Sequence, residues 1–262
     1  MKIGISIKPV LPLMEDLQEF LEDIFAELDD MKDVEVHTND LDKFTIFLLN
    51  LAKKLKIRYT IHCPHFYSEY KVNFCSNKKE DIENAEYWLK KSIKYAKKLK
   101  SKYIVIHPDV SKDSEKHEAL DILEKHIKTN LKLLNKGQKI LVENMPGENY
   151  PLSTPEEFKH FLKRFDKRVG VCWDVGHEIG RFKNQNFKFP KILKSKIKEV
   201  HISGVINFRD HFPLTKGNLN LFGCIESLRK IKYKGAIIFE IVTKNPIDII
   251  NSKNEIDRFI RN

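Results

Sequence analysis

Six apolar, β-branched runs end in a side chain able to bind a metal: Tyr59-Thr-Ile-His62, Ile104-Val-Ile-His107, Ile140-Leu-Val-Glu143, Cys172-Trp-Asp174, Val200-His201 and Ile238-Phe-Glu240. An ordinary buried strand finishes in apolar or turn residues, so His, Asp or Glu recurring at the same relative place points to one shared site. Mixed imidazole and carboxylate donors suit zinc, manganese or iron, whereas an all-oxygen set would suit magnesium or calcium. Two more histidines join from loops: His177, three residues after Asp174, and His211, in the long segment after the seventh run. Eight ligands exceed the roughly four to six positions of one ion, and they predict two or three divalent ions sharing bridging carboxylates.

Positioning such a set requires strands that all end on one face. Short strand-like runs alternate with amphipathic stretches along the whole chain. Ile3 to Ile7 precedes a helix from about Met14 to Leu28, and Val34 to His37 precedes Leu41 to Lys56. Tyr59 to His62 precedes a long helix whose apolar residues Ile82, Ala85, Leu89, Ile93, Ala96 and Leu99 step by three or four. Tyr103 to His107 precedes Ser114 to Leu134, and Ile140 to Glu143 precedes a helix opened by Ser153-Thr154-Pro155-Glu156, a capping residue followed by proline. Val169 to Asp174, Glu199 to Ser203 and Ala236 to Ile241 complete the strands, with helices around Ile192, from Leu221 to Ile231 and near Ile256. Eight such units predict an α/β fold, a single domain over residues 1–262 closed as a (β/α)8 TIM barrel. In that barrel every strand delivers its last residue to one catalytic mouth.

Composition agrees with a folded chain. Its 262 residues are 41% hydrophobic and carry a net charge of +10, which excludes disorder and collagen-like repeats. Cys63, Cys75, Cys172 and Cys224 are far apart and form no CxxC pair, arguing against a disulfide framework or a zinc knuckle. No apolar run approaches the roughly 18 residues that span a bilayer, so no membrane role is expected, and a reducing cytoplasm is the expected location. Residues 1–42 hold 3 basic and 12 acidic side chains, so the remainder is strongly basic and suits a polyanionic partner. Against this, 39 of the 47 basic residues are lysines scattered in helices, a composition also found on ordinary thermostable surfaces.

The motifs His62-Cys-Pro, His107-Pro, Glu143-Asn, Val169-Gly-Val-Cys-Trp-Asp174-Val-Gly-His177, His201, Arg209-Asp210-His211-Phe-Pro-Leu-Thr-Lys-Gly217 and Glu240 resemble the endonuclease IV branch of the xylose isomerase-like barrels. The resemblance covers nearly the whole chain. It implies a trinuclear zinc site that cleaves DNA 5′ to an abasic site. His62, His107 and Glu143 would hold one ion, Glu143 would bridge to a second held by Asp174, His201 and Glu240, and His177 with His211 would hold a third. The departures are specific. Arg209 stands where the family has the aspartate of the third site, leaving Asp210 as the only nearby acid. Ser203-Gly204 replaces an Asn-Asp pair, His65 replaces an aromatic residue, and the DNA-reading loops near the start of the chain are missing.

Two enzymatic functions follow. A metal-dependent hydrolase of abasic or damaged DNA would use zinc, or alternatively manganese, with Glu143 and Glu240 as the catalytic carboxylates. Phosphates would meet Lys112, Arg181, Lys183, Arg209 and Lys216, and Phe66 or Tyr67 would wedge into the duplex. The alternative is an isomerase or epimerase of a sugar or sugar phosphate. It would use one ion on Glu143, Asp174, His201 and Glu240, and Arg209 would clamp a substrate oxyanion or phosphate. His62 and His107, superfluous to a single ion, favour the hydrolase. A barrel that binds metal or nucleic acid without turnover is a third option. Elsewhere, His37 is expected at the mouth, His117, His126 and His160 in solvent, Trp173 beneath the helices, and Cys172 inside the barrel as packing.

Overall fold

The computed structural model describes residues 1–7, 17–39, 41–66, 68–109 and 115–260. Its strands are β1 (Lys2–Ser6), β2 (Asp33–His37), β3 (Arg58–His62), β4 (Tyr103–Ile106), β5 (Lys139–Glu143), β6 (Val169–Asp174), β7 (Ile197–Ile202), β8 (Gly204–Ile206), β9 (Arg209–Phe212) and β10 (Ala236–Phe239). Eight of them pair in parallel and close in the order β1-β10-β7-β6-β5-β4-β3-β2, while β8 and β9 form a separate two-stranded sheet. The expected (β/α)8 TIM barrel is therefore present. The β8–β9 hairpin, which the periodicity does not announce, is an insertion on its mouth.

The helices are α1 (Leu17–Glu27), α2 (Leu41–Leu55), α3 (Lys79–Lys98), α4 (Lys116–Leu131), α5 (Pro155–Phe161), α6 (Val175–Phe182), α7 (Lys188–Leu193), α8 (Leu221–Lys230) and α9 (Pro246–Ile260). Parts of the first and fourth expected helices, Met14 to Asp16 and Ser114, lie outside the described residues. In α3 the stripe Ala85, Leu89, Ile93 and Ala96 is buried, because a 3.6-residue period puts these positions on one face against the strands. Helix α5 begins with a complete capping box: Thr154 accepts from the Glu157 amide, and the Glu157 side chain accepts from the Thr154 amide. Among the described residues no helix is long and apolar enough to cross a membrane.

Each barrel strand is covered on both sides. Outward residues such as Ile61, Ile104, Val142, Trp173 and Val200 join the large core beneath the helices, whereas Val105, Leu141 and Cys172 form a small cluster inside the barrel. The strand partners Ile238↔His201, Asp174↔His201 and Glu143↔Cys172 place their side chains together inside, with Gly4 of β1 paired to Ile238. At Gly4 a Cβ would lie 2.2 Å from the Asp33 carbonyl oxygen, so only glycine lets β1 approach β2 here. One histidine differs from expectation: His126 is buried rather than solvated, because α4 turns it towards α3, where Glu86 accepts from its Nδ1 at 3.0 Å. His37 ends β2 as expected and is buried there, stacked on His62 with ring centroids 4.3 Å apart. His117 and His160 are exposed.

Candidate metal centre

The strand-terminal residues converge on Glu143. Its Oε2 lies 3.3 Å from His62 Nε2, 3.1 Å from His107 Nε2 and 3.5 Å from His201 Nδ1, and its Oε1 lies 3.4 Å from His177 Nδ1. On the far side, His201 Nδ1 is 3.2 Å from Glu240 Oε2. Asp174 ends β6 and caps α6, its Oδ1 accepting from the His177 amide at 2.6 Å. That cap places His177 on the first turn of α6, facing both Glu143 and the hairpin.

The hairpin closes a further cluster. Asp210 Oδ2 is 3.6 Å from His177 Nε2, and its Oδ1 is 3.6 Å from His211 Nε2. Asp210 thus reaches the place that Arg209 leaves without a carboxylate. Two local features permit this. A Cβ on Gly176 would stand 2.5 Å from Asp210 Cβ, so the glycine before His177 makes room for the acid. The backbone at His211 is left-handed (φ 66°), held by a bond from its amide to Ser203 Oγ at 2.8 Å and by the Val242 amide on its carbonyl at 2.8 Å. Such a conformation costs a non-glycine residue about 1 kcal/mol or more and turns two successive side chains towards the same pocket.

Hydrogen bonding fixes which ring nitrogen faces inward. His62 Nδ1 donates to the Cys63 carbonyl at 2.7 Å, His177 Nδ1 to the Asn144 carbonyl at 2.8 Å and His211 Nδ1 to the Glu240 carbonyl at 3.0 Å. A carbonyl can only accept, so these Nδ1 atoms carry a proton and each Nε2 is the ring nitrogen turned to the pocket. His201 is reversed: its Nε2 donates to Glu35 Oε2 at 3.0 Å, leaving Nδ1 towards Glu143 and Glu240. Histidines that ligate metals are oriented in this way by an acceptor behind the ring. Glu143 Oε1, His201 Nδ1 and Glu240 Oε2 are buried without hydrogen-bond partners among the described residues, a cost that a bound cation would remove. The donor set therefore fits a divalent metal. Two groups whose ligating atoms lie within 4.8 Å of one another, His62–His107–Glu143 and His177–Asp210–His211, stand on either side of the Asp174–His201–Glu240 region.

The charges are strongly perturbed. Burial raises the Glu143 pKa, but His107 and His201 outweigh it and hold the carboxyl well below its ordinary value. Burial would lower His177, yet Asp174 and Asp210 raise it to about 9. Asp174 is pushed up by burial to about 7, although His177 opposes the shift. His107 is lowered by burial, only partly offset by Glu143. Shifts of this kind, clustered in one cleft, mark a functional centre.

Residues 25–260 match the xylose isomerase-like TIM barrel family. The chain belongs to that family. An uncharacterized protein of Methanocaldococcus jannaschii is 29% identical over 267 residues, spanning 94% of this chain and 92% of that protein. A probable endonuclease 4 of Sulfurihydrogenibium sp. is 29% identical over 125 residues, spanning 47% of this chain and 45% of that protein. The crystal structure of a D-tagatose 3-epimerase-like protein superposes with a TM-score of 0.83 at 25% identity, covering 100% of this chain and 97% of the other.

Around the mouth of this xylose isomerase-like barrel the predicted phosphate partners separate. Arg181 is engaged by Glu148 at 2.8 Å and Lys216 by Asp248 at 3.0 Å. Lys183 and Arg209 are exposed and have no ion pair among the described residues. Phe66 is half-buried, and Lys112 and Tyr67 lie outside the described residues. At the hairpin tip Asn207 and Phe208 both have positive φ (51° and 62°), the geometry of a tight hairpin turn, and Phe208 is half exposed with Lys183 Nζ 5.1 Å from its ring centre. Cys172 lies within reach of Glu143 and His201, but burial pushes its thiol well above the ordinary value and it packs with Val105 and Leu141.

Sequence reasoning missed the layer beneath the ligands. Glu35 is fully buried behind His201, with its Oε1 3.7 Å from His37 Nε2. Glu199 is buried beside it, accepting from Thr60 Oγ1 at 2.6 Å, with its Oε1 3.8 Å from His201 Nε2. Ser203, seen only as a departure from the family, proves to be the anchor of His211.

Proposed function

We propose that the protein is a metal-dependent phosphodiester hydrolase acting on DNA at abasic or damaged sites, with two or three divalent ions, zinc or alternatively manganese. One observation carries this reading. His62 and His107 gather on Glu143, and His177, Asp210 and His211 gather on the hairpin side, so donors flank the four residues that a single ion would use. The partial likeness to a probable endonuclease 4 supports the same direction. Bound ions supply an acidified water and neutralise charge on the attacking and leaving oxygens. The chain's own part is to orient. Glu143 joins the neighbouring donor groups, Glu240 holds negative charge opposite it, and exposed Lys183 and Arg209 with Phe208 offer the rim contacts that a phosphate backbone needs. The test is a duplex carrying one abasic site. Nicked product should form and should disappear in His107→Ala, and an inert duplex across zinc, manganese and magnesium would overturn the reading.

A second reading, a single-metal epimerase or isomerase of a sugar or sugar phosphate, is favoured by the full-length likeness to the epimerase-like structure. Glu143 and Glu240 would then move a proton at a substrate carbon and Arg209 would hold a substrate oxyanion. Metal content separates the two. Two or more equivalents per chain favour the hydrolase, whereas one equivalent, with deuterium entering a ketose from heavy water, favours the epimerase.

A further inference from the structure

The barrel end opposite the metal centre carries a concentrated positive charge. Every turn leading from a helix into a barrel strand holds at least one lysine, and β1 itself begins at Lys2. Following the spatial order of the strands, this basic arc runs from β3 through β4, β5, β6, β7 and β10 to β1. It is interrupted at β2, where Asp29 and Asp30 precede the strand. Three acids on this end are already engaged, Asp33 by Arg58, Asp166 by Arg168 and Asp30 by Lys253, while Asp29 at the β2 gap is exposed and has no ion pair among the described residues. Lys100, Lys102, Lys196 and Lys234 are exposed and have no ion pair among the described residues.

Two observations say that the lysines are not incidental to the turns. Lys56, Lys100, Lys194 and Lys232 occupy left-handed backbone (φ 59°, 54°, 48° and 54°), where glycine is the ordinary choice and a larger residue costs roughly 1 kcal/mol. The cations also crowd one another. Lys139 is lowered by burial and then by Lys167 and Lys196, and Lys198 by burial and then by Lys139 and Lys196. Within the arc is a cavity of about 660 Å³, lined by Lys2, Lys100, Lys102 and Lys234 and by Tyr103 and Glu199.

We propose that this end of the barrel docks the phosphate backbone of duplex nucleic acid, without reading bases, as a surface separate from the metal centre. Unpaired lysines spread over one end match a polyanion with closely spaced charges, and they release its counterions on contact. Among the described residues the exposed aromatics Tyr87, Phe208 and Phe222 belong to the flank of α3, the hairpin tip and the start of α8. Tyr103 at this end is only part-exposed within the cavity, which favours a duplex backbone over stacked single-stranded bases. Strands of about five residues at roughly 3.3 Å each separate the two ends, so a duplex held here cannot also present its backbone to Glu143. The inference therefore stands whether the mouth hydrolyses DNA or acts on a sugar.

The test is fluorescence anisotropy of the purified full-length protein with a labelled 20-base-pair duplex, DNA and RNA in separate arms, across a salt series. The variants are the quadruple Lys100→Glu, Lys102→Glu, Lys196→Glu, Lys234→Glu and its milder counterpart with glutamine at the same positions. Wild type should bind with a steep salt dependence. Each lost phosphate contact should flatten the log–log slope by about 0.9, so the quadruple variants should flatten it by about 3 to 4 and bind at least about tenfold more weakly at 0.1 M salt. The quadruple variants should keep the metal content of wild type, which separates this surface from the mouth. If the glutamate set fails to fold, the glutamine set decides. No binding by wild type at low salt, an unchanged slope in the variants, or capture by anionic vesicles but not by either duplex would overturn the proposal.

Discussion

Glu35 gives the sharpest test of the metal centre, because it hydrogen-bonds directly to the ligand candidate His201, although it also lies beside His37 and within 4.8 Å of His62. It is completely buried and accepts from His201 Nε2 at 3.0 Å, so it sets both the tautomer of the ring and the direction of Nδ1 towards Glu143 and Glu240. Loss of a carboxylate behind a ligating histidine weakens metal binding by about 10- to 100-fold, equivalent to roughly 1.4 to 2.8 kcal/mol. Glu35→Gln keeps an acceptor oxygen but removes the charge and should fall near the tenfold end. Glu35→Ala also strands the His201 donor and should fall near the hundredfold end. Competition against a chromophoric chelator, after stripping and reloading with zinc, measures the affinity. Thermal unfolding of the stripped protein reports separately any loss of folding. The double variant is decisive: with His201→Ala already present, Glu35→Gln should cost clearly less affinity than in the wild-type protein, since its hydrogen-bonded route to the ion is gone and only its charge on His62 remains. An unaltered affinity in Glu35→Gln, or an equal loss in the His201→Ala background, would refute the reasoning. Glu199→Gln should act more weakly, because Glu199 stands 3.8 Å from the same nitrogen and already accepts from Thr60.

Further outcomes follow from neighbouring contacts. Asp210→Ala and Gly176→Ala should each cost about one metal equivalent by elemental analysis, because the first removes the acid between His177 and His211 and the second displaces it; full metal content in both would exclude a third ion there. His177, raised to about 9, is protonated at pH 7, and a cation must displace that proton. Metal affinity should therefore climb with pH until about 9 and fall as the solution is acidified, and calorimetry in buffers of different ionisation enthalpy should find proton release. Net proton uptake would contradict the assignment. At the start of α5, Thr154→Ala breaks the capping box and should cost about 1 kcal/mol, lowering the unfolding midpoint by roughly 2–4 °C with metal affinity unchanged.

The strand-terminal ligands were legible because each interrupts an apolar run, and a closed barrel gathers all such interruptions at one mouth. The layer below was not. In Asp33-Val-Glu-Val-His37 the alternation marks a strand but not a side, and a polar residue in an alternating strand reads as facing water. Here the water-facing interpretation fails because Val34 and Val36 join the large core beneath the helices, leaving Glu35 and His37 to the interior. Glu199, two residues before His201, escapes notice for the same reason.

Asp210 illustrates a different limit. In a regular strand consecutive residues point to opposite faces, so Asp210 and His211 would not be expected to serve one pocket. The left-handed backbone at His211 and the register shift between β8 and β9 cancel that alternation. Glycine at position 211 would have advertised the irregularity, whereas Gly176, a regular residue of α6, marks only the room left for the acid. A histidine in that conformation is strained, and the bonds from Ser203 and Val242 hold it. The position of the third carboxylate is therefore written in the contacts around His211 rather than in the spacing of acids along the chain. Ser203→Ala should accordingly weaken the His177–Asp210–His211 group while leaving His62, His107 and Glu143 undisturbed.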